Sequence, residues 1–112
     1  MAEKTVNKLK DPSELKAESK IDYIDRGWLY YHQKNYSNSI SDFKVALDMD
    51  PEDINTIYAL GLALKAGGHT EEAKAKFNQV VELSRVIDRT DRSQILKSLA
   101  TGQFNQIEKG TW

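Results

Sequence analysis

Cysteine is absent from the chain. That absence excludes disulfides, thiolate metal sites and a cysteine nucleophile in this sequence, and it leaves the redox compartment undetermined. Long apolar runs are absent too: no window approaches eighteen uninterrupted apolar residues, so no helix is expected to span a membrane. The N-terminal stretch MAEKTVNKLKDPSELK is charged and lacks the apolar core of a signal peptide, which predicts a cytoplasmic protein.

Neither sign of charge is in excess. Sixteen lysines and arginines stand against seventeen aspartates and glutamates, for a formal net charge of −1. This balance gives no electrostatic reason to expect nucleic acid or an anionic membrane as a partner. A chain of 112 residues, 39% of them hydrophobic, fits one soluble domain with one core and leaves no room for a deep enclosed catalytic cleft.

Proline is scarce, and both prolines mark helix starts. Pro12 and Pro51 each follow an aspartate, in DPSEL and DPEDI, where the aspartate can cap and the proline fits the first turn. Apolar residues recur at spacings of three and four, which is typical of helices, and no stretch shows sustained period-two alternation. The pattern predicts an all-α chain with helices at 13–33, 37–48, 53–66, 71–87 and 91–100, and a weaker one at 103–109 after Gly102.

An internal repeat becomes visible when the chain is shifted by 34 residues. Gly27 then aligns with Gly61, and Phe43 aligns with Phe77. A glycine inside a helix costs about 1 kcal/mol relative to alanine, so its recurrence needs a packing reason. We expect the bare backbone at each glycine to admit the ring of the aligned phenylalanine. The pair Gly67-Gly68 is expected to form a turn between two helices.

These positions resemble the tetratricopeptide repeat family, whose 34-residue unit is a pair of antiparallel helices. Residues 20–53 are similar to a nearly complete copy, and residues 54–87 to a second one. Arg26 and Ser39 depart from the family's usual leucine and alanine, and Arg85 stands where proline is usual. The matching residues are Tyr23, Gly27, Tyr30, Tyr36, Ser39, Phe43, Ala46, Leu47 and Pro51 in the first copy, and Ile57, Leu60, Gly61, Leu64, Ala73, Phe77, Val80 and Val81 in the second.

The resemblance implies antiparallel hairpins stacked as a short right-handed α-solenoid of about five or six helices. Residues 1–112 would form a single domain, in which residues 1–19 are an N-terminal extension and 13–19 lengthen the first helix. Residues 88–112 would be a capping helix and tail, with Ile95, Leu96 and Leu99 on one face and charge on the other.

The resemblance also implies a concave groove lined by the first helix of each repeat. Trp28 and Tyr31 have two interpretations, because they either form an exposed binding strip or fill a core that the N-terminal segment covers. Ile24 and Trp28 replace the lysine and asparagine with which some family members hold a carboxylate, so that specificity is not expected. The predicted partner-binding residues are Ile24, Trp28, Tyr31, Asn55, Tyr58, Leu62, Lys65, Arg89 and Arg92.

No catalytic or metal site is expected. The acidic stretch DMDPEDINT does not fit a calcium loop, because Asp53 stands where the sharp turn of that loop needs glycine, and helix capping explains its acids. His32 and His69 have no metal-ligand partner at a useful spacing and are expected at the surface. Neither a phosphate-binding loop nor a nucleophile with its base is present in the pattern.

The sequence therefore predicts a non-enzymatic protein-protein interaction module without a cofactor, acting as an adaptor, scaffold or assembly factor. Its partner would be a peptide or helix with apolar anchors and some acidic residues, and not nucleic acid or a membrane. The alternative is a structural subunit that self-associates as a homodimer through the apolar groove or a hairpin edge.

Overall fold

The computed structural model describes Pro12 and residues 15–86 and 91–109 of the chain. Each helix packs on the next one along the chain, which builds two stacked helical hairpins and a final single helix. The predicted all-α fold of stacked hairpins is therefore confirmed. Over these residues the chain forms five helices: α1 (Lys20–His32), α2 (Tyr36–Met49), α3 (Ile54–Ala66), α4 (Thr70–Val86) and α5 (Asp91–Lys109).

Helix α1 begins at Lys20, and the prediction that residues 13–19 lengthen it is wrong for the described residues 15–19. The Ser19 hydroxyl accepts a hydrogen bond from the Asp22 backbone N–H at 3.2 Å. The Asp22 carboxylate in turn accepts from the backbone N–H groups of Ser19 and Glu18, at 3.2 and 3.1 Å. This reciprocal capping satisfies donors that a longer helix would have bonded internally, so the helix starts here.

Helix α5 is continuous from Asp91 to Lys109, so the break predicted at Gly102 is wrong. One internal glycine costs a helix about 1 kcal/mol, which is less than burying one large apolar side chain contributes. Phe104 and Ile107, beyond the glycine, pack against the hydrophobic core. Their burial offsets the helix-propensity cost of Gly102, so the helix continues past this residue.

The turns between the paired helices have the same geometry in both repeats. Gly68 has a φ of 90°, and Lys34, one repeat earlier, has a φ of 63°. The residue after each donates its backbone N–H back into the preceding helix, from His69 to the Leu64 carbonyl at 2.8 Å and from Asn35 to the Tyr30 carbonyl at 2.9 Å. The predicted turn at Gly67-Gly68 is confirmed, and Lys34 adopts the left-handed conformation that glycine adopts more readily.

The two recurring glycines lie against the two recurring phenylalanines. A Cβ atom added to Gly27 would lie 2.7 Å from Cε1 of Phe43, and one added to Gly61 would lie 2.6 Å from Cε1 of Phe77. Both rings are fully buried. The predicted close approach of ring and backbone is confirmed in both hairpins, and it forms the centre of each.

The first hairpin is closed at its outer edge by an ion pair. Arg26 donates two hydrogen bonds to the Asp42 carboxylate, both at 2.8 Å, and a third to the Leu15 carbonyl at 3.1 Å. The same position in the second repeat is Leu60, which is buried in the core. Arg26 therefore replaces the buried leucine with an ion pair, and its hydrogen bond to Leu15 connects the N-terminal segment to α1.

The other departure from the family pattern in the first hairpin has a local explanation. Ser39 is fully buried, and its hydroxyl donates a hydrogen bond of 2.8 Å to the Gly27 carbonyl. Because the hydroxyl has this partner, it is accommodated where the second repeat has the buried Ala73.

Candidate partner-binding groove

A cleft of about 340 Å³ opens between α1, α3 and α5, and we call it the central cleft. Four of the predicted groove residues line it, two from α1 and two from α3. Leu96 of α5 contributes from the third helix. The lining residues are Ile24, Trp28, Asp53, Asn55, Thr56, Tyr58, Ala59 and Leu96. The structure thus places residues separated by more than one repeat at a single concave surface.

Trp28 and Tyr31 are both half-buried. The Trp28 ring centroid lies 5.2 Å from that of Phe43 and 5.4 Å from that of Tyr31, each in an edge-to-face arrangement. Such aromatic pairs add about 0.5–1.5 kcal/mol beyond the area that they bury. Trp28 therefore packs on the core and also lines the central cleft. It combines features of the two predicted roles, a core residue and part of a binding surface. Tyr31 packs on Trp28 and Tyr36.

Tyr58 forms the opposite wall of the cleft, on α3. Its ring centroid lies 5.5 Å from that of Phe77, so the groove-facing ring rests on the core of the second hairpin. Burial raises the pKa of the Tyr58 hydroxyl, against the effect of a hydrogen bond with the Gln103 side chain. The Tyr58 side chain is neutral at physiological pH and offers an apolar ring with a polar tip.

Lys65, at the C-terminal end of α3, is held by α5. Its Nζ donates to the Gln103 Oε1 at 2.7 Å and also to the Gln106 Oε1. Burial lowers the Lys65 pKa. Lys65 therefore places its ammonium group at this end of the α3 groove face, next to two amides of α5. The residues Gln103 and Gln106 were missed from the sequence, since a helix broken at Gly102 would not have placed them there.

The N-terminal end of α3 is acidic. The Asp53 carboxylate caps the helix by accepting from the Asn55 backbone N–H at 3.2 Å and from the Thr56 hydroxyl at 2.7 Å. Lys20 lies 3.0 Å from an Asp50 carboxylate oxygen and 3.3 Å from one of Asp53. Burial acts to raise the Asp53 pKa, but the hydrogen bonds from Thr56 and Lys20 outweigh it and lower the pKa. The predicted capping role of this acidic stretch is confirmed.

The remaining predicted groove residues do not line the central cleft or are not described. Tyr31 and Leu62 are half-buried against the core, outside the cleft lining. Arg89 lies outside the described residues, and Arg92 lies in α5, although its side chain is not among those described. The placement of these two side chains relative to the cleft is therefore not described, and their role stays a prediction.

The structure offers no metal cluster among the residues it describes: no group of three or more histidine, aspartate or glutamate side chains could hold an ion there. His32 and His69 are exposed, as predicted. Within the described helices none is both long and apolar enough to cross a membrane.

The comparisons with known proteins agree with this architecture. The sequence model described as "Tetratricopeptide repeat" matches residues 23–53 and 54–86, which are the two hairpins. A TPR repeat-containing protein of Methanocaldococcus jannaschii is 26% identical over 84 residues, which cover 74% of this chain and 15% of that protein. The chain thus corresponds to a small part of that relative's length. No solved structure matches the chain significantly. With both of its hairpins matched, the chain belongs to the tetratricopeptide repeat family.

Proposed function

We propose that the chain holds a peptide or helical segment of a partner protein in the central cleft, as an adaptor, scaffold or assembly factor. The tetratricopeptide repeat is a non-catalytic fold that generally mediates protein-protein interaction. The observation that carries the proposal is the pair of half-buried rings, Trp28 on α1 and Tyr58 on α3, lining one open cleft. Aromatic residues that are fixed by their own packing lose little entropy on binding and supply much of the energy at interfaces.

The charge distribution along α3 indicates where the apolar and acidic residues of the bound segment would lie. Asp53 lies at the N-terminal end of the helix and Lys65 at its C-terminal end, about 18 Å apart by the rise of an α-helix. Apolar anchors of the partner would occupy the space between Trp28 and Tyr58. An acidic residue of the partner would lie near Lys65, where it could replace the amide oxygens of Gln103 and Gln106.

A clean test adds a charge to the cleft without disturbing the core. Trp28→Ala is unsuitable, because the ring packs on Phe43 and its loss would also destabilise the hairpin. Asn55 is exposed, lines the cleft and lies in the first turn of α3, where a glutamate is compatible with the helix dipole. Asn38 is an exposed asparagine in the first turn of α2, away from the cleft, and Asn38→Glu is the matched control.

The measurement starts from peptides selected on the wild-type chain from a random library, with affinities determined by titration. We expect Asn55→Glu to weaken binding at least about tenfold, or about 1.4 kcal/mol, and Asn38→Glu to leave it unchanged. Equal affinity for all three proteins would contradict the proposal. If the alternative holds and the cleft mediates self-association, Asn55→Glu would instead dissociate a homodimer in the absence of peptide.

A further inference from the structure

Helix α5 does not divide into the predicted apolar and charged faces. Leu96 is buried in the core, whereas Ile95 is 60% exposed and Leu99 is 49% exposed, so the prediction that the three share one apolar face is wrong. Charge is scarce on this helix as well. Between residues 93 and 107 the only charged residue is Lys97, in a chain where 29% of residues are charged. The position of this ammonium group therefore decides which ligands the middle of α5 can attract.

A pocket of about 270 Å³ lies at the boundary between α4 and α5, and we call it the seam pocket. The residues that line it all come from these two helices, so it is separate from the central cleft. Val81 and Phe104, which are half-buried against the core, provide its apolar surface. The lining residues are Asn78, Val81 and Arg85 of α4, and Lys97, Thr101 and Phe104 of α5.

The charges along this boundary differ between its two ends. Helices α4 and α5 run antiparallel, because the start of α4 lies against the end of α5: the Lys74 Nζ lies 2.6 Å from a carboxylate oxygen of Glu108. Eleven residues, or about three turns, further along α4 is Arg85, and eleven residues back along α5 is Lys97. Both line the seam pocket. Opposite charges therefore meet at one end of the boundary, and two positive charges meet at the other.

The two positive charges have little compensation. None of the residues that line the seam pocket is acidic. Arg85 has a partner in Glu82 of the same helix at 3.6 Å, but both side chains are more than half exposed, so this pair is weak. The sequence DRTDR at 88–92 has as many arginines as aspartates and adds no net charge. Because Arg85 and Lys97 repel each other, a carboxylate between them would be attracted by both.

The chemistry of the lining limits what can occupy the seam pocket. A purely apolar segment would bury the charges of Arg85 and Lys97 without a partner, which is unfavourable. A purely acidic segment would leave the half-buried Val81 and Phe104 without apolar contacts. The occupant therefore needs both a carboxylate and an apolar side chain, close enough together to reach the two parts of the pocket.

We propose that the seam pocket binds an extended segment of a partner protein in which an acidic and an aliphatic residue are two positions apart. The carboxylate lies between Arg85 and Lys97 and accepts hydrogen bonds from both. The aliphatic side chain packs on Val81 and Phe104. Val81 and Arg85 are four residues apart on α4, or about 6 Å, and alternate side chains of an extended segment are about 7 Å apart. This site is distinct from the central cleft and does not depend on the function proposed for it.

The test is a titration of the full chain with a defined probe, followed by NMR of the backbone amides. The probe is the capped pentapeptide Leu-Ser-Glu-Ser-Leu, whose two leucines allow binding in either direction. We expect a dissociation constant of roughly 1 mM, with the largest shifts at residues 81, 97, 101 and 104. Replacing the glutamate by glutamine, or both leucines by alanine, should weaken binding at least about tenfold.

Variants of the chain test the two cations. Lys97→Gln and Arg85→Gln each remove one charge from the exposed rim and should weaken binding of the glutamate probe by about fivefold or more, while the glutamine probe is unaffected. Lys76 is another lysine of α4 and does not line the seam pocket, so Lys76→Gln is the matched control that should leave the affinity unchanged. Asn55→Glu, in the central cleft, should also leave it unchanged.

Several results would overturn the inference. Equal affinities for the glutamate and glutamine probes would show that no carboxylate is recognised, and equal losses for Lys76→Gln and Lys97→Gln would show that the cations act only through net charge. The same shifts with sodium acetate at equal concentration would reduce the pocket to a general anion site. A loss of probe binding in Asn55→Glu would place the peptide in the central cleft. Shifts at the same amides that depend on protein concentration without peptide would assign the pocket to a second copy.

Discussion

At Gly61 helix propensity and core packing have opposite effects on stability, because propensity favours alanine and packing favours glycine. Alanine is favoured over glycine in a helix by about 1 kcal/mol. Against this, a Cβ atom at Gly61 would lie 2.6 Å from Cε1 and 2.9 Å from Cζ of the Phe77 ring. The ring is fully buried and has little space to move, so the contact cannot be relieved cheaply. Packing outweighs propensity, and the glycine is the better residue.

We therefore predict that Gly61→Ala destabilises the fold by about 1–3 kcal/mol in spite of its better helix propensity. Thermal and urea denaturation followed by circular dichroism give the change directly. The control is the same substitution in a Phe77→Leu background, where the smaller side chain should reduce the cost of the added methyl group. A higher melting temperature for Gly61→Ala in the wild-type background would contradict the prediction, because it would mean that the Phe77 ring can move away from the added methyl group.

The same residue shows why part of the structure could be predicted from the sequence. Gly27 and Gly61 recur with Phe43 and Phe77 at a fixed separation, and a cost that appears twice at the same point indicates a shared contact. Gln103 offered no comparable signal. Its contact with Lys65 depends on a helix that continues through Gly102, which is decided by distant packing and not by the local residues.

At the scale of single helices, α1 and α3 are capped at other residues than the sequence predicted. The sequence predicted the first helix to start just after Pro12. The structure begins α1 after Ser19, because the hydroxyl and the Asp22 carboxylate satisfy two backbone donors reciprocally. For α3 the prediction that Asp50 caps and Pro51 lies in the first turn is wrong: Asp50 ends α2, Pro51 lies in the turn and Asp53 caps α3, whose predicted and observed starts differ by one residue.

The Asp53 cap predicts a pH dependence of stability. The Asp53 pKa is lowered in the folded state, so its contribution is present above the unfolded pKa of about 3.9 and is lost as pH falls through the folded value. Asp53→Asn keeps a capping oxygen but removes the charge near Lys20. We expect this variant to be less stable by up to about 1 kcal/mol at pH 7 and equal to the wild type near pH 2.

The measurement is urea denaturation of both proteins at several pH values between 2 and 7, chosen to span the carboxylate titration range. Asp48 is exposed on α2, and Asp48→Asn serves as the control for removing an aspartate elsewhere. A difference between Asp53→Asn and the wild type that stays constant over the whole range would contradict a charge-dependent cap.

At the scale of the whole molecule, the two hairpins make different contacts on their outward sides. The first hairpin ends in the ion pair of Arg26 with Asp42, whose side chains are 22% and 6% exposed. The second hairpin is covered by the apolar side of α5, through Leu96 and Ala100. The outward side of the first hairpin is therefore polar, whereas that of the second is covered by apolar side chains of α5.

The ion pair of Arg26 with Asp42 predicts that a single substitution costs more stability than the double substitution that removes both charges. Arg26→Leu leaves the Asp42 carboxylate buried without its partner, and we expect a loss of about 3 kcal/mol. The double variant Arg26→Leu/Asp42→Ala removes both charges and should recover most of that loss. Glu82→Gln disrupts the exposed pair of Glu82 with Arg85 and should cost less than about 0.5 kcal/mol.

Chemical denaturation of the four proteins decides between these expectations. A double variant no more stable than Arg26→Leu would mean that the ion pair itself, and not the isolated carboxylate, dominates the energetics of this edge. Since Arg26 also donates to the Leu15 carbonyl, amide hydrogen exchange near Leu15 should increase in both Arg26 variants.

The central cleft is bounded by three helices, and its width limits the number of partner residues that can contact it. With neighbouring helix axes about 8–10 Å apart, three helices extend over about 20 Å, which an extended peptide crosses in about six residues. A motif of this length with two or three required anchors recurs by chance in many unrelated proteins. Selectivity in a cell would then depend on local concentration, and two clefts joined in one assembly would discriminate partners that carry the motif twice from those that carry it once.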